Sequence, residues 1–472
     1  MDFIGSVLSQ RQIAEKYEKE ELFYAKTDEE IVKEAVASLN IPNADDIRGN
    51  ITLPDQYEGA SITWTSNKED VVSTAVQENE GYDSTPAGVV TRGSEDVQVR
   101  LTATISKGAV APVKKDIDLT VKAKSEISEE DYKAYVFAYF TGEGYATGEQ
   151  IYFATSQDGL HWEVTNEGDP VLSSTMGEQG LRDPFIIRSP EGDRFYLIAT
   201  DLKINGGNGW TAAQQAGSQS IMVWESTDMV NWTDQRMVKV ARDNAGCTWA
   251  PEAFYDEKTG EYIVFWASKT SDDNYSVQKV YYAKTRDFYT FTEPEVWIEL
   301  YKTTNGNPLS IIDTSVISVM EDGKKVYYRF SKNEAGEDHD AASGWGKYTI
   351  MERSDSLLGE WTEVKAFKDN RGVEGGTCFK FNGEDKWCLL LDDHGGVGYF
   401  PMVSTDLGSG EFTRLDTSEY SFPSKMRHGT VLPLTQKEYD AVMAKYSSEV
   451  KENQEEPKQE PILKYDFENK KM

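Results

Sequence analysis

The sequence predicts an all-β protein in which a small N-terminal β-sandwich precedes a five-bladed β-propeller. A short turn motif recurs five times between residues 156 and 412, at intervals of about 50 to 70 residues. Apolar strand pairs flank the copies, as one sheet per repeat requires. Ahead of the repeats, apolar and polar residues alternate with the period of two that is typical of half-buried strands.

The recurring motif has a hydroxyl residue, an Asp two positions later in four of the five copies, and then an aromatic residue. A short hairpin turn needs these residue types, because the carboxylate accepts hydrogen bonds from the turn amides and the aromatic ring packs beneath them. The copies begin at Ser156, Ser226, Thr285, Ser354 and Ser404. We therefore predict one blade per copy.

The chain divides into four predicted segments. Amphipathic stretches at Gln10–Glu21 and Asp28–Leu39 indicate helices, and Val97–Ile105 and Ile117–Val121 have the alternation of sandwich strands. The stretch Val450–Pro461 has the Glu, Lys, Gln and Pro content of a solvated linker. The segments are an N-terminal helical segment at 1–40, an Ig-like β-sandwich at 41–126, the propeller at 130–447, and a linker followed by a further module or a disordered tail at 448–472.

The composition is strongly acidic and rich in aromatic residues. With 49 Lys and Arg against 81 Asp and Glu, the formal net charge is −32. A field of that sign repels nucleic acid and anionic membrane surfaces, so we expect neither as a partner. The chain has no apolar run of about 18 residues, and we predict no membrane insertion. The 12% aromatic content suits ordinary β-core packing and the binding of flat ligands such as sugars equally well.

The three cysteines, Cys247, Cys378 and Cys388, are too few and odd in number for a disulfide scaffold. A tight turn at residues 382–383 would pair Phe379 with Cys388 and place the sulfurs of Cys378 and Cys388 on opposite faces of the sheet. We predict free, buried thiols.

An acidic residue occurs at the same position near the start of four of the repeats. Asp183, Glu252, Asp313 and Glu374 each precede a short apolar strand, a turn and a second strand. Residues at one phase of a propeller repeat lie at one end of the innermost strands, which surround the axis. We therefore expect the four carboxylates to converge in one funnel, although they are far apart in sequence.

The two ends of the repeat region complete each other. The fifth opening, Arg427-His-Gly-Thr-Val, has no turn motif after it, and the turn at Ser156 has no acidic opening before it. The C-terminal strand is therefore predicted to join the N-terminal strands in one closing blade. This pairing would remove both open sheet edges.

Carboxylates crowded in an aromatic-lined funnel are costly unless they perform chemistry or hold a metal. Mutual repulsion raises the pKa of at least one of them, which gives an acid beside a base. Glycosidic cleavage needs this pair, because one carboxyl protonates the leaving oxygen while another activates water or attacks carbon. The alternative is that these residues only cap strand ends or bind turn amides. The occurrence of four acidic residues at the same position of the repeat argues against this alternative.

The acidic openings resemble glycoside hydrolase family 43, the five-bladed arabinofuranosidases and xylosidases. The resemblance covers residues 130–447. It rests on five short motifs in a fixed order: Asp-Pro at 183–184, Trp-Ala-Pro-acid at 249–252, Ile-Asp at 312–313, Glu-Gly at 374–375 and His-Gly at 428–429.

The family resemblance implies a role for each motif. Asp183 would be the general base that activates water, and Glu374 would be the general acid. Asp313 would tune the pKa of the acid and orient it. Trp249 and Glu252 would line the −1 sugar site. The family inverts the anomeric carbon, so the resemblance implies an inverting reaction.

The resemblance also places His428 near the axis, where family members often hold a water-bound calcium or sodium ion. It implies no cofactor for the chemistry itself. The motif Asp392-Asp-His394 follows an apolar strand and is a weaker candidate for the site.

The sequence departs from the family pattern in three places. Asp313 lacks the Pro that usually follows, and Glu374 is followed by Gly-Gly rather than Gly-Pro. About 50 residues of predicted strand precede Asp183, whereas the family's base usually opens the first blade near the start of the domain. We assign these residues to the closing blade, and if that assignment is wrong Asp169 is the rival base.

Cationic and aromatic residues near the funnel are candidates for binding the sugar. Arg182, Arg329 and Arg427 would hydrogen-bond hydroxyls or set carboxylate charge, with surface ion pairs as the alternative. Trp210 and Trp345 lie in Gly-rich insertions near the predicted rim and would stack on sugar faces, with loop packing as the alternative.

We expect an exo-acting, inverting glycosidase that removes a terminal pentose from plant polysaccharide or glycan side chains. α-L-Arabinofuranose is the first substrate by resemblance alone, and β-xylosidase and exo-galactanase are the enzymatic alternatives. Retaining fructosidases need Asn-Asp-Pro-Asn-Gly and Glu-Cys motifs, and neither occurs. A non-catalytic carbohydrate-binding propeller and a protein-adhesion scaffold are the alternatives from other classes.

Two flanking regions bear on location and partners. Residues 41–126 resemble the bacterial Ig-like modules of secreted glycosidases through Ile62–Ser66 and the closing strands, and residues 462–468 resemble the opening strand of a laminin-G-like sandwich. We expect an extracellular or cell-surface protein, although its first residues lack the basic region of a signal peptide. The expected partner is a carbohydrate, and the expected state is a monomer within a longer multi-module chain.

Overall fold

The computed structural model describes residues 26–301, 308–334 and 347–446. These residues form mostly β-strand, with few helices. Within these ranges no helix has both the length and the apolar character to cross a membrane. The predicted helix at Gln10–Glu21, the candidate Trp345 and the predicted segment 448–472 lie outside the described residues.

The N-terminal part is a helix packed on a small antiparallel sheet. Helix α1 (Asp28–Ser38) begins with a capping box, in which Thr27 and Glu30 exchange side-chain and backbone hydrogen bonds. Its buried face, with Ile31 and Val32, packs against Ile62 and Ile105 of the sheet. The sheet order is β1-β2-β5-β6, with β3-β4 as a separate pair. These strands are β1 (Gln56–Tyr57), β2 (Ala60–Ser66), β3 (Val72–Ser73), β4 (Val89–Val90), β5 (Val97–Ser106) and β6 (Val113–Val121).

Five four-stranded antiparallel sheets follow, four of which are consecutive in sequence. Each of these four runs through its strands in chain order, so that neighbouring strands are joined by hairpins. Their strands are β10 (Leu181–Arg188), β11 (Phe195–Asp201), β12 (Ser220–Ser226) and β13 (Arg236–Lys239); β14 (Trp249–Asp256), β15 (Glu261–Ser268), β16 (Lys279–Thr285) and β17 (Glu295–Ile298); β20 (Ile311–Glu321), β21 (Lys324–Asn333), β22 (Thr349–Ser354) and β23 (Thr362–Ala366); β24 (Glu374–Lys380), β25 (Trp387–Asp393), β26 (Gly398–Ser404) and β27 (Thr413–Arg414).

The fifth sheet joins the two ends of the repeat region, as predicted. Its order is β28-β7-β8-β9, and β28 (Met426–Thr435) pairs along its length with β7 (Tyr132–Thr141). The other two strands are β8 (Tyr152–Ser156) and β9 (Glu163–Val164), and a separate pair is formed by β18 (Leu300–Tyr301) and β19 (Pro308–Leu309).

Few helices accompany these sheets. Helix α2 (Gly209–Gln215) lies between β11 and β12, and helix α3 (Gln436–Tyr446) follows β28 and packs on Phe153 through Tyr446. Short 3-10 turns occur at Glu129–Asp131, Asn166–Gly168, Ser271–Asp273 and Leu407–Ser409.

The first strands of the five sheets contact one another in cyclic order. Strand β28 contacts β10, β10 contacts β14, β14 contacts β20, β20 contacts β24, and β24 contacts β28. Apolar cores lie between successive sheets; Ile198 and Val223, for example, share a core with Val264 and Trp266 of the next sheet. The strands that carry the four acidic openings, β10, β14, β20 and β24, are therefore consecutive in this order.

The recurring turns have the predicted hydrogen bonds. Asp158 accepts bonds from the backbone N–H groups of Leu160 and His161, both at 2.8 Å. Asp228 and Asp287 make the same pair of bonds in the next two copies. The prediction that the carboxylate closes the turn is confirmed for these copies.

The cysteine predictions are confirmed except for the burial of one thiol. All three cysteines are free, and Phe379 pairs with Cys388 across the turn. Cys247 and Cys388 are buried, but Cys378 is only half-buried, because its side chain faces a cavity at the far end of β24.

Candidate active site

A cavity of about 490 Å³ opens where the first strands of the five sheets begin. This volume falls in the range of small-ligand sites, about 300–1,000 Å³. The cavity collects most of the predicted site residues that the structure describes. Its lining includes Arg182, Asp183, Trp210, Trp249, Asp313, Glu374, His394, Arg427 and His428.

All five first strands carry a β-bulge at the same point. The register shifts between Arg182 and Phe185, between Trp249 and Glu252, between Ile312 and Ser315, between Glu374 and Thr377, and between Arg427 and Gly429. A bulge bends the strand and redirects a side chain, and bulges are common beside active sites.

The residues inside four of these bulges adopt positive φ. The angles are 48° at Asp183, 47° at Ala250, 49° at Asp313 and 57° at Gly375. Left-handed backbone is uncommon outside glycine, although Asp tolerates it better than most residues. Asp183 and Asp313 therefore occupy the same bulge position in different sheets, and the bulge directs each carboxylate into the cavity.

Asp183 is held by two neighbours. The Thr200 hydroxyl donates to Asp183 Oδ2 at 2.9 Å, and His428 Nδ1 lies 3.3 Å from Oδ1. Thr200 Oγ1 in turn accepts the backbone N–H of Ala250 at 2.8 Å, which fixes its orientation. Burial raises the pKa of Asp183, but the hydrogen bond and charge of His428 outweigh it, so the pKa lies below its usual value. This carboxylate is ionised and oriented, as a general base requires.

His428 connects the two bulge carboxylates. Its Nδ1 lies 3.3 Å from Asp183 and 3.8 Å from Asp313. Burial lowers the pKa of His428, yet the two carboxylates overcome this effect and raise the pKa to about 9. The imidazole is therefore a cation between two acids near neutral pH.

Asp313 is the more deeply buried of the two acids. Its Oδ2 accepts the backbone N–H of Gly375 at 3.0 Å, which ties it to the residue after Glu374. Burial raises the pKa of Asp313 more than the His428 and Lys332 charges lower it. The charge of Glu374 also contributes to the raised pKa of Asp313, so the two carboxyls interact electrostatically.

Glu374 lies among three cationic or potentially cationic groups. Lys332 Nζ donates to its Oε2 at 2.8 Å, Arg427 donates to Oε1, and His394 Nδ1 lies 3.6 Å away. Burial raises the pKa of Glu374, but the Lys332 and Arg427 charges dominate and hold it well below the usual range. Glu374 is therefore ionised here, which is opposite to the protonated state that a general acid needs.

Arg427 is positioned by a carboxylate behind it. Its Nε donates to Asp392 Oδ2 at 2.8 Å, and Asp392 is fully buried. Burial raises the pKa of Asp392 to about 6 despite the Arg427 charge. Both ends of the 392–394 motif therefore belong to the site, because Asp392 binds Arg427 and His394 lines the cavity.

Aromatic side chains form one wall of the cavity. The rings of Trp210 and Trp249 meet edge to face with centroids 6.1 Å apart. The Arg182 guanidinium lies 5.0 Å from the Trp210 ring and 4.7 Å from the Phe140 ring. Trp210 is 44% exposed, so its ring is available to a ligand.

The structure corrects the placement of Glu252. This residue is only 3% exposed and is not part of the cavity lining. It stands after the bulge, at the position that Phe185 occupies in β10, and therefore points into the protein beneath the cavity. Burial raises the pKa of Glu252 to about 8, which makes it a neutral acid at pH 7 rather than a sugar-facing carboxylate.

The structure also corrects the prediction for Arg329. Its Nε donates to Glu352 at 2.6 Å, and its guanidinium lies 4.4 Å from the Trp361 ring, away from the cavity. The strand position directs the side chain toward its own sheet partner β22, which sequence spacing alone did not reveal. The rival base Asp169 is exposed and lies outside the cavity lining as well.

Sequence reasoning missed Lys332 and Glu334. Lys332 is buried opposite Ile312 and binds Glu374, while its Nζ also lies 2.8 Å from Glu334 Oε2. Glu334 lines the cavity and accepts a hydrogen bond from Lys347 at 2.9 Å. The available signal was a lysine directly after the predicted strand Val326–Ser331, since a lysine that a strand carries into the interior requires a partner.

The side chains around His428 do not fit a directly ligated ion. In the part of the chain that the structure describes, no group of three or more His, Cys, Asp or Glu side chains could hold a metal. The Nδ1 of His428 is occupied as a donor between Asp183 and Asp313. The water-bound ion expected near His428 stays a prediction.

Comparison with known proteins identifies the family. The sequence profile described as "Probable glycosyl hydrolase domain", which is related to glycoside hydrolase family 43, matches residues 130–440. The chain belongs to this family. In this glycosyl hydrolase a second profile, described as "Atrophied bacterial Ig domain", matches residues 32–124 and agrees with the resemblance of the N-terminal module.

A curated relative of this glycosyl hydrolase is an α-L-arabinofuranosidase of Bifidobacterium longum. The two are 34% identical over 403 residues, which cover 76% of this chain and 36% of the relative. The match therefore spans about a third of the relative's length.

Among solved structures, similarity extends to two arabinanases. One is the α-L-arabinanase of Cellvibrio cellulosa complexed with arabinohexaose, at 14% identity and a TM-score of 0.41, covering 64% of this chain and 97% of that one. The other is an exo-1,5-α-L-arabinanase from a bovine ruminal metagenomic library, at 16% identity and a TM-score of 0.40, covering 60% and 92%. Scores this low support no conclusion about activity.

Proposed function

We propose that this glycosyl hydrolase releases terminal α-L-arabinofuranose from plant polysaccharide or glycan side chains with inversion. The observation that carries the proposal is the convergence of Asp183, Asp313 and Glu374 in one aromatic-walled cavity. Family membership of residues 130–440 and the arabinofuranosidase relative support the reaction and the sugar. Because the match spans only part of that relative, the substrate is part of the proposal.

We propose that the five four-stranded sheets are the blades of a propeller and that the cavity lies on its axis. The cyclic contacts among β10, β14, β20, β24 and β28 support this arrangement. The pairing of β28 with β7 supports closure of the ring by strands from both ends of the repeat region.

In the proposed mechanism, Asp183 takes a proton from the attacking water. Its ionised state, with Thr200 and His428 fixing the two oxygens, suits this step. Glu374 would deliver a proton to the leaving oxygen, and Asp313 would influence its proton affinity through the Gly375 amide and through charge. The direct attack of water inverts the anomeric carbon.

Glu374 must gain a proton before it acts as the acid. Lys332 and Arg427 oppose this in the free protein. A sugar hydroxyl that draws Arg427 away from Oε1 removes one of the two charges, and exclusion of water by the sugar further raises the pKa of the carboxyl. The acid role is therefore coupled to substrate binding.

The wider setting of the protein is also proposed. The Ig-like module resembles those of secreted glycosidases, which supports an extracellular or cell-surface location. We propose a monomer that binds carbohydrate.

A panel of nitrophenyl glycosides tests the proposed activity. We expect release from the α-L-arabinofuranoside to exceed release from the β-xyloside and β-galactoside. Asp183→Asn should lower kcat by about 10²–10⁴-fold in a protein that remains folded, because Asn still accepts the Thr200 bond, with a melting temperature lowered by the loss of the ion pair with His428. Faster release from the xyloside or the galactoside would refute arabinofuranose as the preferred sugar. An unchanged kcat in Asp183→Asn would refute the assignment of Asp183 as the base.

One observation favours a second candidate, a sugar-binding domain without catalysis. The two cations on Glu374 hold it in the state that cannot donate a proton. Calorimetric titration with arabino-oligosaccharides separates the two functions. A binding domain binds intact oligosaccharide and releases no arabinose, whereas the hydrolase releases it.

A further inference from the structure

Glu149 is a buried carboxylate that the proposed mechanism does not use. Its exposed fraction is 0%, and it does not line the cavity. Its backbone joins two strands of the site, because its N–H donates to Thr141 at the end of β7 and its carbonyl accepts from Leu181 at the start of β10, both at 2.7 Å. Its φ of 58° is unusual for Glu, so the surrounding contacts determine this conformation.

The Glu149 carboxylate binds two separate parts of the cavity wall. Oε1 accepts the backbone N–H of Ile204 at 2.7 Å, and Oε2 accepts that of Asn205 at 2.9 Å. The Arg182 guanidinium donates to Oε1 at 3.0 Å. One side chain therefore ties the loop after β11 to the residue beside Asp183.

This loop carries the exposed tryptophan of the cavity wall. Residues 205–208, Asn-Gly-Gly-Asn, lead directly into α2, whose second residue is Trp210. Of the seven residues of α2 only Ala213 is buried, so the helix itself has little core to hold it. Hydrogen bonds at the start of the loop must therefore supply much of its order.

Arg182 completes the connection from the other side. Its guanidinium lies between the Phe140 and Trp210 rings, and cations in this geometry attract aromatic faces. Glu149 thus orients both partners of the Arg182–Trp210 contact, since it binds Arg182 directly and the loop through two amides. Trp249 packs edge to face against Trp210 and extends the same wall.

We propose that Glu149 is a positioning residue that fixes the Trp210–Trp249 wall through Arg182 and the 204–205 amides, and that this wall sets the affinity for the sugar. The proposal rests on the proposed function. A fixed indole at the rim binds an apolar sugar face without first being ordered by the ligand, and such preorganisation improves affinity.

The kinetic test compares Glu149→Gln and Trp210→Ala with the matched variant Glu225→Gln. Glu225 is also a buried carboxylate, paired with the buried Arg194 and the half-buried Arg236, but it lies outside the cavity. We expect the first two variants to raise KM for the arabinofuranoside about tenfold with kcat within about twofold, the pattern of binding lost equally from the ground state and the transition state. Glu225→Gln should leave KM within about twofold of the wild type. An unchanged KM in Glu149→Gln, or an equal change in the control, would overturn the proposal.

A second readout does not depend on activity. In hydrogen exchange of the wild type, the Ile204 and Asn205 amides should exchange at least about tenfold more slowly than that of Gly206. Glu149→Gln keeps one acceptor oxygen and should therefore remove this difference for at least one of the two amides. If the wild type cleaves no glycoside, the proposed function fails while the exchange data still decide the positioning role. If Glu149→Gln does not fold, the wild-type exchange and the Trp210→Ala kinetics decide it, and equal exchange of the three amides refutes it.

Discussion

At the residue scale, two cations decide the protonation state of Glu374. Lys332 and Arg427 bind its two oxygens in the free protein, and each has further acidic partners, Glu334 and Asp392 respectively. Removing either cation changes the proton affinity of Glu374 without changing the carboxyl itself. Lys332 is the better choice for a test, because Arg427 also faces the sugar cavity and stacks near Phe140.

Lys332→Met should move the pH dependence of catalysis. The positive charge lowers the pKa of Glu374, so its removal raises that pKa by about one unit or more. A general acid works only while protonated in the substrate complex, and the alkaline fall of kcat should therefore move to higher pH by the same amount. Profiles of kcat against pH for the wild type, Lys332→Met and the surface control Lys325→Met provide the measurement. An unshifted alkaline limb would remove Glu374 from the acid role.

His428 should make the stability of the fold depend on pH. Its pKa is about 9 in the folded protein against an ordinary 6.5, so it stabilises the fold fully below pH 6.5. This contribution is lost as the pH rises through 9, where the imidazole is neutral in both states. In His428→Gln the contribution is absent throughout.

The wild type should therefore exceed His428→Gln in stability more at pH 6 than at pH 9.5, by an amount on the order of 2 kcal/mol. Urea unfolding of both proteins at the two pH values measures the difference. A difference that is constant with pH would show that Asp183 and Asp313 do not hold His428 as a cation.

The phase of the repeats predicted which acidic residues meet, but not how deep each one lies. Asp183, Asp313 and Glu374 line the cavity. Glu252 lies two residues after the bulge residue Ala250, and it is buried beneath the cavity. A bulge shifts the alternation of the strand locally, and it has no residue pattern that the sequence makes visible. The role of Lys332 was not predicted, because its acidic partner Glu374 is 42 residues away in the sequence.

At the element scale, the bulges of the five first strands determine what faces the cavity. In β28 the bulge residue is His428, and the next residue, Gly429, approaches β7 closely. A Cβ at Gly429 would lie 1.9 Å from the Ala138 carbonyl oxygen. Only glycine permits β28 to pair with β7 at this point, and this pair joins the two ends of the repeat region.

Gly429→Ala should therefore destabilise the protein by at least about 2 kcal/mol, since the new methyl group must displace backbone of the closing pair. Gly144→Ala is the control, because a Cβ there meets nothing within 4 Å. Thermal unfolding followed by circular dichroism measures both. Equal melting temperatures for the two variants would mean that β28 does not pair with β7 as described.

The strands were more predictable than the elements between them. The pairs Phe195–Ala199 with Ile221–Glu225 and Trp387–Leu391 with Gly398–Val403 follow from alternation and turn chemistry, and they pair in the structure. Helix α2 lies in a Gly-rich insertion without helical periodicity, so sequence patterning predicted a loop there. Its stability depends on contacts from Glu149 and Arg182, which are distant in sequence.

At the scale of the whole molecule, the Ig-like module is attached to the repeat region by buried polar contacts. Arg286 of the second sheet donates to the carbonyl oxygens of Ile51, Pro86 and Ala87 at 2.6–3.1 Å. Asp193 binds arginines of the module, Arg48 and Arg92. Such contacts predict that the two parts unfold together.

Arg286→Met should separate their unfolding. The variant removes the donor from one buried and two half-buried carbonyl oxygens at the boundary, at a cost of about 1–3 kcal/mol for the buried one and less for the others. Scanning calorimetry should show one transition for the wild type and two for the variant. Lys284→Met, which breaks the exposed contact with Asp83, should keep one transition. Two transitions in the wild type would contradict the coupling.

The overall plan was predictable because it depends on repetition. Five turn motifs and four acidic openings indicated the number of sheets and their common orientation, and the unmatched ends indicated the β28–β7 pairing. The contacts of the Ig-like module were not predictable, because they join residues such as Arg286 and Ile51 through no repeating pattern.

The anomeric form of the first product tests the central claim, that water activated by Asp183 attacks a terminal arabinofuranoside directly in this cavity. Proton NMR of the reaction with nitrophenyl α-L-arabinofuranoside records this product before mutarotation. The account predicts β-L-arabinose first in the wild type and product formation slowed about 10²–10⁴-fold in Asp183→Asn. Appearance of the α-anomer first would mean a covalent intermediate, and would contradict the assigned roles of Asp183 and Glu374.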